Sequence, residues 1–162
     1  MKAVVIRTPG GPQRLELADL PLPEPGCGQA RIRAQAIGVG RPDVLMREGT
    51  YKWMPPLPAV LGNEVAGVVD AIGPDAHGLA LGDRVLLSAR ELPQRGGGYA
   101  EFAVAPAEAL YPLPDEIGFD AAVSLPNFQL AQALLFGCGS ARPVQSVLIT
   151  AAAGGVASAM VQ

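Results

Sequence analysis

The residues best suited to bind a ligand through their backbone lie near the end of the chain, in a turn of small side chains. Val147–Thr150 is a short apolar run typical of a buried strand, and three alanines, two glycines and a valine follow it at 151–156. A turn of this kind lets backbone amides and a helix N-terminus approach a pyrophosphate group. The sequence therefore predicts a dinucleotide site at Gly154, Gly155 and Val156.

This turn matches the dinucleotide fingerprint G-x-G-x-x-G/A in part. Gly154 keeps the middle glycine, Ala157 supplies the small residue allowed at the third position, and Ala152 stands at the first. By itself the pattern is not specific, because only one glycine of the fingerprint is kept. Its interpretation depends on the elements that precede it.

Cysteine and histidine residues are too few for a structural metal site. Cys27 and Cys138 do not form a C-x-x-C pair, and the lone histidine, His77, lies in a polar turn. Structural zinc takes four ligands, usually including paired cysteines, so no metal is predicted. We interpret His77 as a solvated loop residue.

The composition restricts the class of protein. The chain has 162 residues, of which 49% are hydrophobic and 17% charged, which is enough for a domain with a real core. The net charge of -3 argues against a nucleic-acid surface, which needs a basic stripe. No apolar run approaches the ~18 residues of a membrane span, and the N-terminal apolar run is too short for a signal peptide. We therefore expect a cytoplasmic protein without nucleic-acid or membrane partners.

Short strands separated by glycine and proline occupy the first 118 residues. Apolar and polar side chains alternate strictly over Gln29–Ala36, which predicts a half-buried strand. The glycine-punctuated segment Leu57–Leu87 predicts two antiparallel strands with a sharp bend, as at the corner of a small barrel. Further strands are predicted at 2–7, 15–20 and 98–104, and a short helix at 42–48.

The pattern becomes helical after residue 118. A short helix is predicted over Phe119–Leu125, and a second helix is predicted to begin with Asn127 as its N-cap. Apolar residues then recur at helical spacing and are predicted to pack in a core. These residues are Phe128, Ala131, Leu134 and Leu135. With the strand at 147–150 and a helix at 157–162, the predicted fold is mainly β with an α/β start.

Two runs in the central segment resemble the medium-chain dehydrogenase/reductase superfamily. They are Gly62-Asn63-Glu64-Val65-Ala66-Gly67 and Gly82-Asp83-Arg84-Val85, and the Gly-x-Ala-Glu run at 98–101 is also similar. The small-residue turn at 152–157 resembles the variant common in quinone-oxidoreductase-like members. The resemblance implies a GroES-like β-barrel catalytic domain over residues 1–118. It also implies, over 119–162, a linking helix and the first β-turn-α piece of a Rossmann nucleotide-binding domain.

The resemblance also indicates a branch of the superfamily. The zinc alcohol dehydrogenases carry a cysteine and a histidine where this chain has Gly40 and Asn63, and neither residue ligates zinc. This implies the zinc-free branch, in which NADPH reduces a quinone or an α,β-unsaturated carbonyl by hydride transfer. One departure is at Gln129-Leu130-Ala131, where many members have a threonine near the nicotinamide.

Two candidate catalytic residues follow from the resemblance. The run Arg-x-Gly-x-Tyr at 47–51 implies that Tyr51 contacts the substrate or donates a proton, and Asp43 matches an aspartate of the preceding turn. Each has a purely structural alternative. Tyr51 would pack under Pro55 and Pro56, and Asp43 would cap the short helix.

The resemblance covers the whole chain but only about half of a typical member, which implies a fragment of an enzyme. The residue that selects NAD or NADP would lie beyond residue 162. Two alternatives stay open, namely an enoyl-thioester reductase of the same family and a free-standing barrel that binds or assembles without catalysis. The apolar segment Val147–Val161 predicts self-association, and hence a homo-oligomer.

Overall fold

The computed structural model describes residues 1–93, 95–138 and 146–162. The chain divides into two compact units, Met1–Val123 and Ser124–Gln162, which are described separately. The predicted domain boundary at residue 118 stays a prediction.

The first unit is built mainly from strands. Its described residues form the strands β1 (Lys2–Ile6), β2 (Glu16–Asp19), β3 (Gln29–Gly38), β4 (Ala59–Val60), β5 (Glu64–Ile72), β6 (Arg84–Ser88), β7 (Phe102–Pro106) and β8 (Leu110–Pro112). Helix α1 spans Arg41–Glu48, between β3 and β4, and α2 spans Phe119–Ala122. Short 3-10 turns occur at Pro12–Arg14, Ala89–Glu91 and Ala107–Ala109.

These strands form two antiparallel sheets. The larger has the order β7-β3-β5-β6-β8 and the smaller the order β2-β1-β4. An isolated bridge between Ala3 and Ala100 connects β1 to the chain just before β7. The predicted pairing of two strands within 57–87 is confirmed, since β5 and β6 pair antiparallel from Glu64–Ser88 to Val68–Arg84.

The sharp bend predicted in the central segment has a clear cause. The register between β3 and β5 shifts twice, between Arg31 and Ile32 and between Ala34 and Ala36. Such irregularities bend a strand and increase its twist. At Gly67 an added Cβ would lie 2.1 Å from the Arg33 carbonyl oxygen, so only glycine allows the strands to approach this closely.

The core lies on one face of the larger sheet and confirms the alternation predicted for β3, with one exception. Ala30 and Ile32 are fully buried and Arg33 is exposed. Arg31, predicted to face solvent, is instead buried, with 8% of its surface exposed. Its guanidinium donates to both carboxylate oxygens of Asp70 at 2.9 and 3.2 Å and lies 5.6 Å from the Phe102 ring centre. A paired and stacked guanidinium tolerates burial that an unpaired charge does not.

The second unit contains α3 (Leu125–Gln132), a π-helical turn (Ala133–Gly137) and α4 (Gly155–Val161). The predicted N-cap at Asn127 is wrong, because the helix begins three residues earlier with Ser124 in the N-cap position. Pro126 occupies the first turn, where a missing N–H costs no intrahelical bond. The Asn127 side chain instead lies against the start of α4, since a Cβ at Gly155 would be 3.0 Å from its Nδ2.

Two other predictions for the second unit need correction. Of the predicted apolar core face, Ala131 is buried, but Phe128 and Leu134 are 42% and 43% exposed. The strand predicted over Val147–Thr150 has no regular structure, and Leu148 is 91% exposed. A strand needs a neighbour to satisfy its backbone, and within the described residues no strand pairs with this segment. In the part of the chain that the structure describes, no helix is both long and apolar enough to cross a bilayer.

Candidate functional site

The site begins at the turn that leads from β3 into α1. Gly40 is the N-cap residue, with extended backbone, and Asp43 is the third helical residue. The Gly40 N–H donates to Asp43 Oδ2 at 2.8 Å, so the aspartate returns to cap its own helix. Helix α1 ends at Glu48, and its C-cap residue Gly49 has a φ of 77°, the left-handed termination typical of glycine; Tyr51 lies two residues further on.

Asp43 is the centre of a buried hydrogen-bonded cluster. It is 3% exposed, and Asn63 Nδ2 donates to its Oδ1 at 2.8 Å. Gly40 and Asn63, the two positions where zinc enzymes of the superfamily carry ligands, are therefore joined through one carboxylate. Burial raises the pKa of Asp43, while the hydrogen bonds from Gly40 and Asn63 act in the opposite direction. Within the described residues, no three His, Cys, Asp or Glu side chains are grouped so that they could hold a metal ion.

Tyr99 completes this cluster and was not singled out from the sequence. Its backbone N–H donates to the Leu61 carbonyl at 2.7 Å, and its ring covers Gly62, where a Cβ would lie 2.3 Å from Tyr99 Cδ1. The buried hydroxyl makes no hydrogen bond of ordinary geometry in the described structure. Burial first, and then the negative charge of Asp43, raise its pKa.

One signal for Tyr99 was present in the sequence. The sequence motif at 98–101 resembles the superfamily, but such a motif indicates only that this chain and the family have a similar loop. It does not indicate which residues the loop's side chains contact. The contact of Tyr99 with Gly62 joins residues far apart in the sequence and can be seen only in the fold. The amide oxygen of Asn63 is also buried without a partner in the described structure, so the cluster keeps unused hydrogen-bonding capacity.

Tyr51 lies close to the same cluster, on a small core of its own. It is half-buried and packs, as does Tyr99, against the buried side chains of Ile6, Met46 and Leu61. Its ring meets that of Trp53 edge-on, with centroids 5.6 Å apart. The two tyrosines therefore share one small core, and its residue Met46 lies about one turn after Asp43 on α1.

The predicted dinucleotide turn lies in the second unit. Gly154 is the N-cap of α4 and is exposed, as is Gly155, while Val156 is half-buried. The turn is held by the Gly154 N–H, which donates to the Ala151 carbonyl at 2.8 Å, and by Ser158 Oγ, which donates to the Ala152 carbonyl at 3.0 Å. The N–H groups of the first turn have no acceptor inside their own helix, as a pyrophosphate site requires. The Gly154 N–H is already engaged, so Gly155 and Val156 carry the first-turn N–H groups that a ligand could use.

Comparison with known proteins agrees with this architecture. The Alcohol dehydrogenase GroES-like domain family matches residues 26–115. Human quinone oxidoreductase is 38% identical over 165 residues, which cover all of this chain and 49% of that protein. The crystal structure of human synaptic vesicle membrane protein VAT-1 homolog-like protein superposes with a TM-score of 0.91 at 35% identity, covering 99% of this chain and 50% of that one.

A third similar protein carries a nucleotide. The Escherichia coli quinone oxidoreductase complexed with NADPH has a TM-score of 0.77 and 27% identity, covering 86% of this chain and 42% of that one. The chain thus spans about half the length of the relatives it matches. The predicted GroES-like, mainly β fold is confirmed. The chain belongs to the Alcohol dehydrogenase GroES-like domain family, as a quinone-oxidoreductase-like member of the medium-chain dehydrogenase/reductase superfamily.

Proposed function

We propose that this chain contributes to a zinc-independent, NADPH-dependent oxidoreductase that reduces quinones or α,β-unsaturated carbonyl compounds. The observation that carries the proposal is the buried bridge from Gly40 through Asp43 to Asn63. At the two positions where zinc enzymes of the superfamily carry metal ligands, this chain has N–H groups that donate to the Asp43 carboxylate. Polarisation of the carbonyl must then come from hydrogen-bond donors of the protein rather than from a Lewis acid.

The nucleotide would be held by the turn of the second unit. Gly155 and Val156 would bind the pyrophosphate through their backbone N–H groups. Gly154, whose own N–H donates to the Ala151 carbonyl, would let the phosphate approach closely because it has no side chain. When bound, NADPH supplies the hydride that adds to the β-carbon of the conjugated carbonyl. The relatives named quinone oxidoreductase, one of them in complex with NADPH, support this choice of cofactor and substrate.

Tyr51 and Asp43 would have different roles in the reaction. Tyr51 would contact the substrate and donate the proton that follows the hydride, since a positioned phenol can act as a general acid. Both oxygens of Asp43 already accept hydrogen bonds, so we assign it a positioning role. It would hold the start of α1 and the Asn63 amide in place. The location in the cytoplasm and the homo-oligomeric state stay predictions.

Titration of NADPH into the purified chain, followed by nicotinamide fluorescence, tests the cofactor. We expect saturable binding that Gly154→Glu abolishes, because the carboxylate would repel the pyrophosphate. The matched control, Ala121→Glu on the exposed side of α2, should bind normally. Equal binding by the Gly154→Glu variant would contradict the assigned turn.

A second measurement tests the reaction. NADPH oxidation would be followed with a benzoquinone, with cyclohexenone and with a crotonyl thioester, after prolonged dialysis against a zinc chelator. Turnover of the quinone or the enone supports the proposal, whereas turnover of the thioester alone identifies an enoyl reductase. Loss of turnover on dialysis and its recovery with zinc would refute zinc independence. NADPH binding without turnover of any of the three would refute the proposed reaction.

A further inference from the structure

Two cations lie over one exposed aromatic ring in the first unit, and with it they form a cationic cluster of Lys52, Trp53 and Arg95. The Lys52 ammonium is 5.3 Å from the centre of the Trp53 ring, and the Arg95 guanidinium is 5.6 Å from it. The indole itself is 48% exposed. Because the face of an indole attracts positive charge, the ring holds two cations at one place on the surface.

The two cations come from separate segments that pack against each other. Lys52 lies in the loop after α1, whereas Arg95 lies far along the chain, between β6 and β7. The segments meet closely, since a Cβ at Gly96 would lie 3.6 Å from Pro55 Cγ. Arg95 Nη1 also donates to the Ala89 carbonyl, which fixes the guanidinium in place. The fold, and not the local sequence, therefore brings the two charges together.

Carboxylates of the described chain do not neutralise these cations. Among the ion pairs between described residues, none includes Lys52 or Arg95. Glu48, the acidic residue closest to Lys52 in the sequence, is engaged with Arg47 at 3.0 Å. Two positive charges without acidic partners create a local positive potential, which favours an anionic ligand although the whole chain has a net charge of -3.

A carboxylate attached to a planar group matches the chemistry of this cluster. A guanidinium has five N–H donors in a planar fork, and the bond to Ala89 uses one nitrogen of Arg95. The Lys52 ammonium is exposed and adds further donors. Hydrogen bonds between such cations and a carboxylate are stronger than those between neutral groups. The exposed indole offers a flat apolar surface to the rest of the molecule.

The cluster adjoins the proposed proton donor. The Tyr51 ring meets the Trp53 ring edge-on, with centroids 5.6 Å apart. Tyr51 is anchored by its packing on the small core that contains Met46 and Leu61. A planar conjugated molecule in contact with Trp53 is therefore close both to the two cations and to Tyr51.

We infer that Lys52, Trp53 and Arg95 bind a carboxylate substituent of the substrate, so that the preferred substrates are conjugated carbonyl compounds that carry a carboxylate. The inference rests on the proposed function for the reactive part of the molecule. This contact would act on affinity, and hence on KM, more than on the chemical step.

Trp53 is the single tryptophan of the chain, so its fluorescence reports directly on the cluster. Benzoate and its neutral analogue benzamide would be titrated into the purified chain without NADPH, with excitation at the red edge of the indole band. We expect saturable quenching by benzoate, with an affinity about tenfold higher than that of benzamide. Added salt should weaken the binding of benzoate and leave that of benzamide unchanged.

Charge-removing variants identify the groups that bind the anion. Arg95→Gln should weaken benzoate binding about tenfold, because this guanidinium is half-buried. Lys52→Gln should weaken it about threefold, because the ammonium is exposed, and for the same reason this variant keeps the fold. Neither should change the affinity for benzamide. Arg14→Gln, at an exposed cation of the turn before β2, is the matched control and should bind benzoate normally.

The outcomes separate this inference from the proposed function. Benzoate binding that both variants weaken supports the cluster, whether or not the chain reduces any carbonyl compound. Reduction of neutral enones together with equal affinities for benzoate and benzamide would overturn the carboxylate site while leaving the reaction. An unchanged affinity for benzoate in both variants would also overturn it. Displacement of benzoate by an equal concentration of inorganic phosphate would overturn the assignment to a substrate carboxylate.

Discussion

Replacing Asn63 by leucine tests whether the Asp43 carboxylate depends on its buried amide partner. The two side chains are similar in size, so Asn63→Leu removes the hydrogen bond to Asp43 without opening a large cavity. A hydrogen bond to a charged group contributes about 1.5–3 kcal/mol, and one to a neutral group about 0.5–1.5 kcal/mol. We therefore expect a loss of about 2 kcal/mol in the free energy of unfolding at pH values above the folded pKa of Asp43, where the carboxylate is charged.

The cost should depend on pH in a defined direction. The folded pKa of Asp43 is raised by burial, so this group stabilises the fold most below its unfolded pKa and loses that contribution as pH rises through the folded pKa. The hydrogen bond from Asn63 lowers the pKa of Asp43, so replacing Asn63 by leucine should raise that pKa further. The penalty of Asn63→Leu should thus fall to about 1 kcal/mol or less once acidification protonates Asp43.

Urea denaturation at a series of pH values, from alkaline to acidic, measures both quantities, provided that the slope m is unchanged. Gln35→Leu, at an exposed position of β3, is the control and should change stability by no more than about 0.5 kcal/mol. A penalty for Asn63→Leu that is the same at every pH of the series would refute the argument that Asn63 stabilises a buried charge.

Three further predictions follow from the geometry. Gly62→Ala should lower the free energy of unfolding by more than about 2 kcal/mol in urea denaturation, because φ is 95° and the new Cβ meets Tyr99. Gly78→Ala, also at positive φ but with open space around it, should cost only about 1 kcal/mol, and equal costs would contradict the steric reason. Tyr51→Phe should lower the rate of enone reduction by about 10²-fold with an unchanged Tm, and an unchanged rate would exclude it as the proton donor. Leu148→Ser should weaken self-association in sedimentation at high concentration, since this side chain is 91% exposed; an unchanged distribution of species would place the contact elsewhere.

Local signals predicted those parts of the fold that local forces determine. Alternation located β3, and the glycines of the central segment located the bend, because each reflects a backbone requirement within a few residues. The burial of Arg31 could not be predicted in this way. It depends on Asp70, 39 positions along the chain, and a period-2 pattern contains no information about such a partner.

The same limit explains the site. The family resemblance singled out Gly40, Asp43 and Asn63 as candidate site positions. In the structure Asp43 caps helix α1, as its structural alternative predicted. The link from Asp43 to Asn63 spans 20 positions and requires the turn before α1 to meet the start of β5. Tyr99 reaches the cluster only because its loop packs against residues 60–62. The strand expected at 147–150 depends on neighbouring strands, which a local apolar pattern cannot supply.

The segment that carries Tyr99 is attached through its backbone. The N–H groups of Gly97, Gly98 and Tyr99 donate to carbonyls of Val60, Gly62 and Leu61, at 2.9, 3.1 and 2.7 Å respectively. None of these bonds involves a side chain at position 99. The position of the loop backbone therefore does not depend on the side chain at position 99, which contributes instead through its packing on Ile6, Met46 and Leu61. A library that varies this residue alone should therefore keep the loop in place, while its members lose stability in proportion to the packed side chain that they remove.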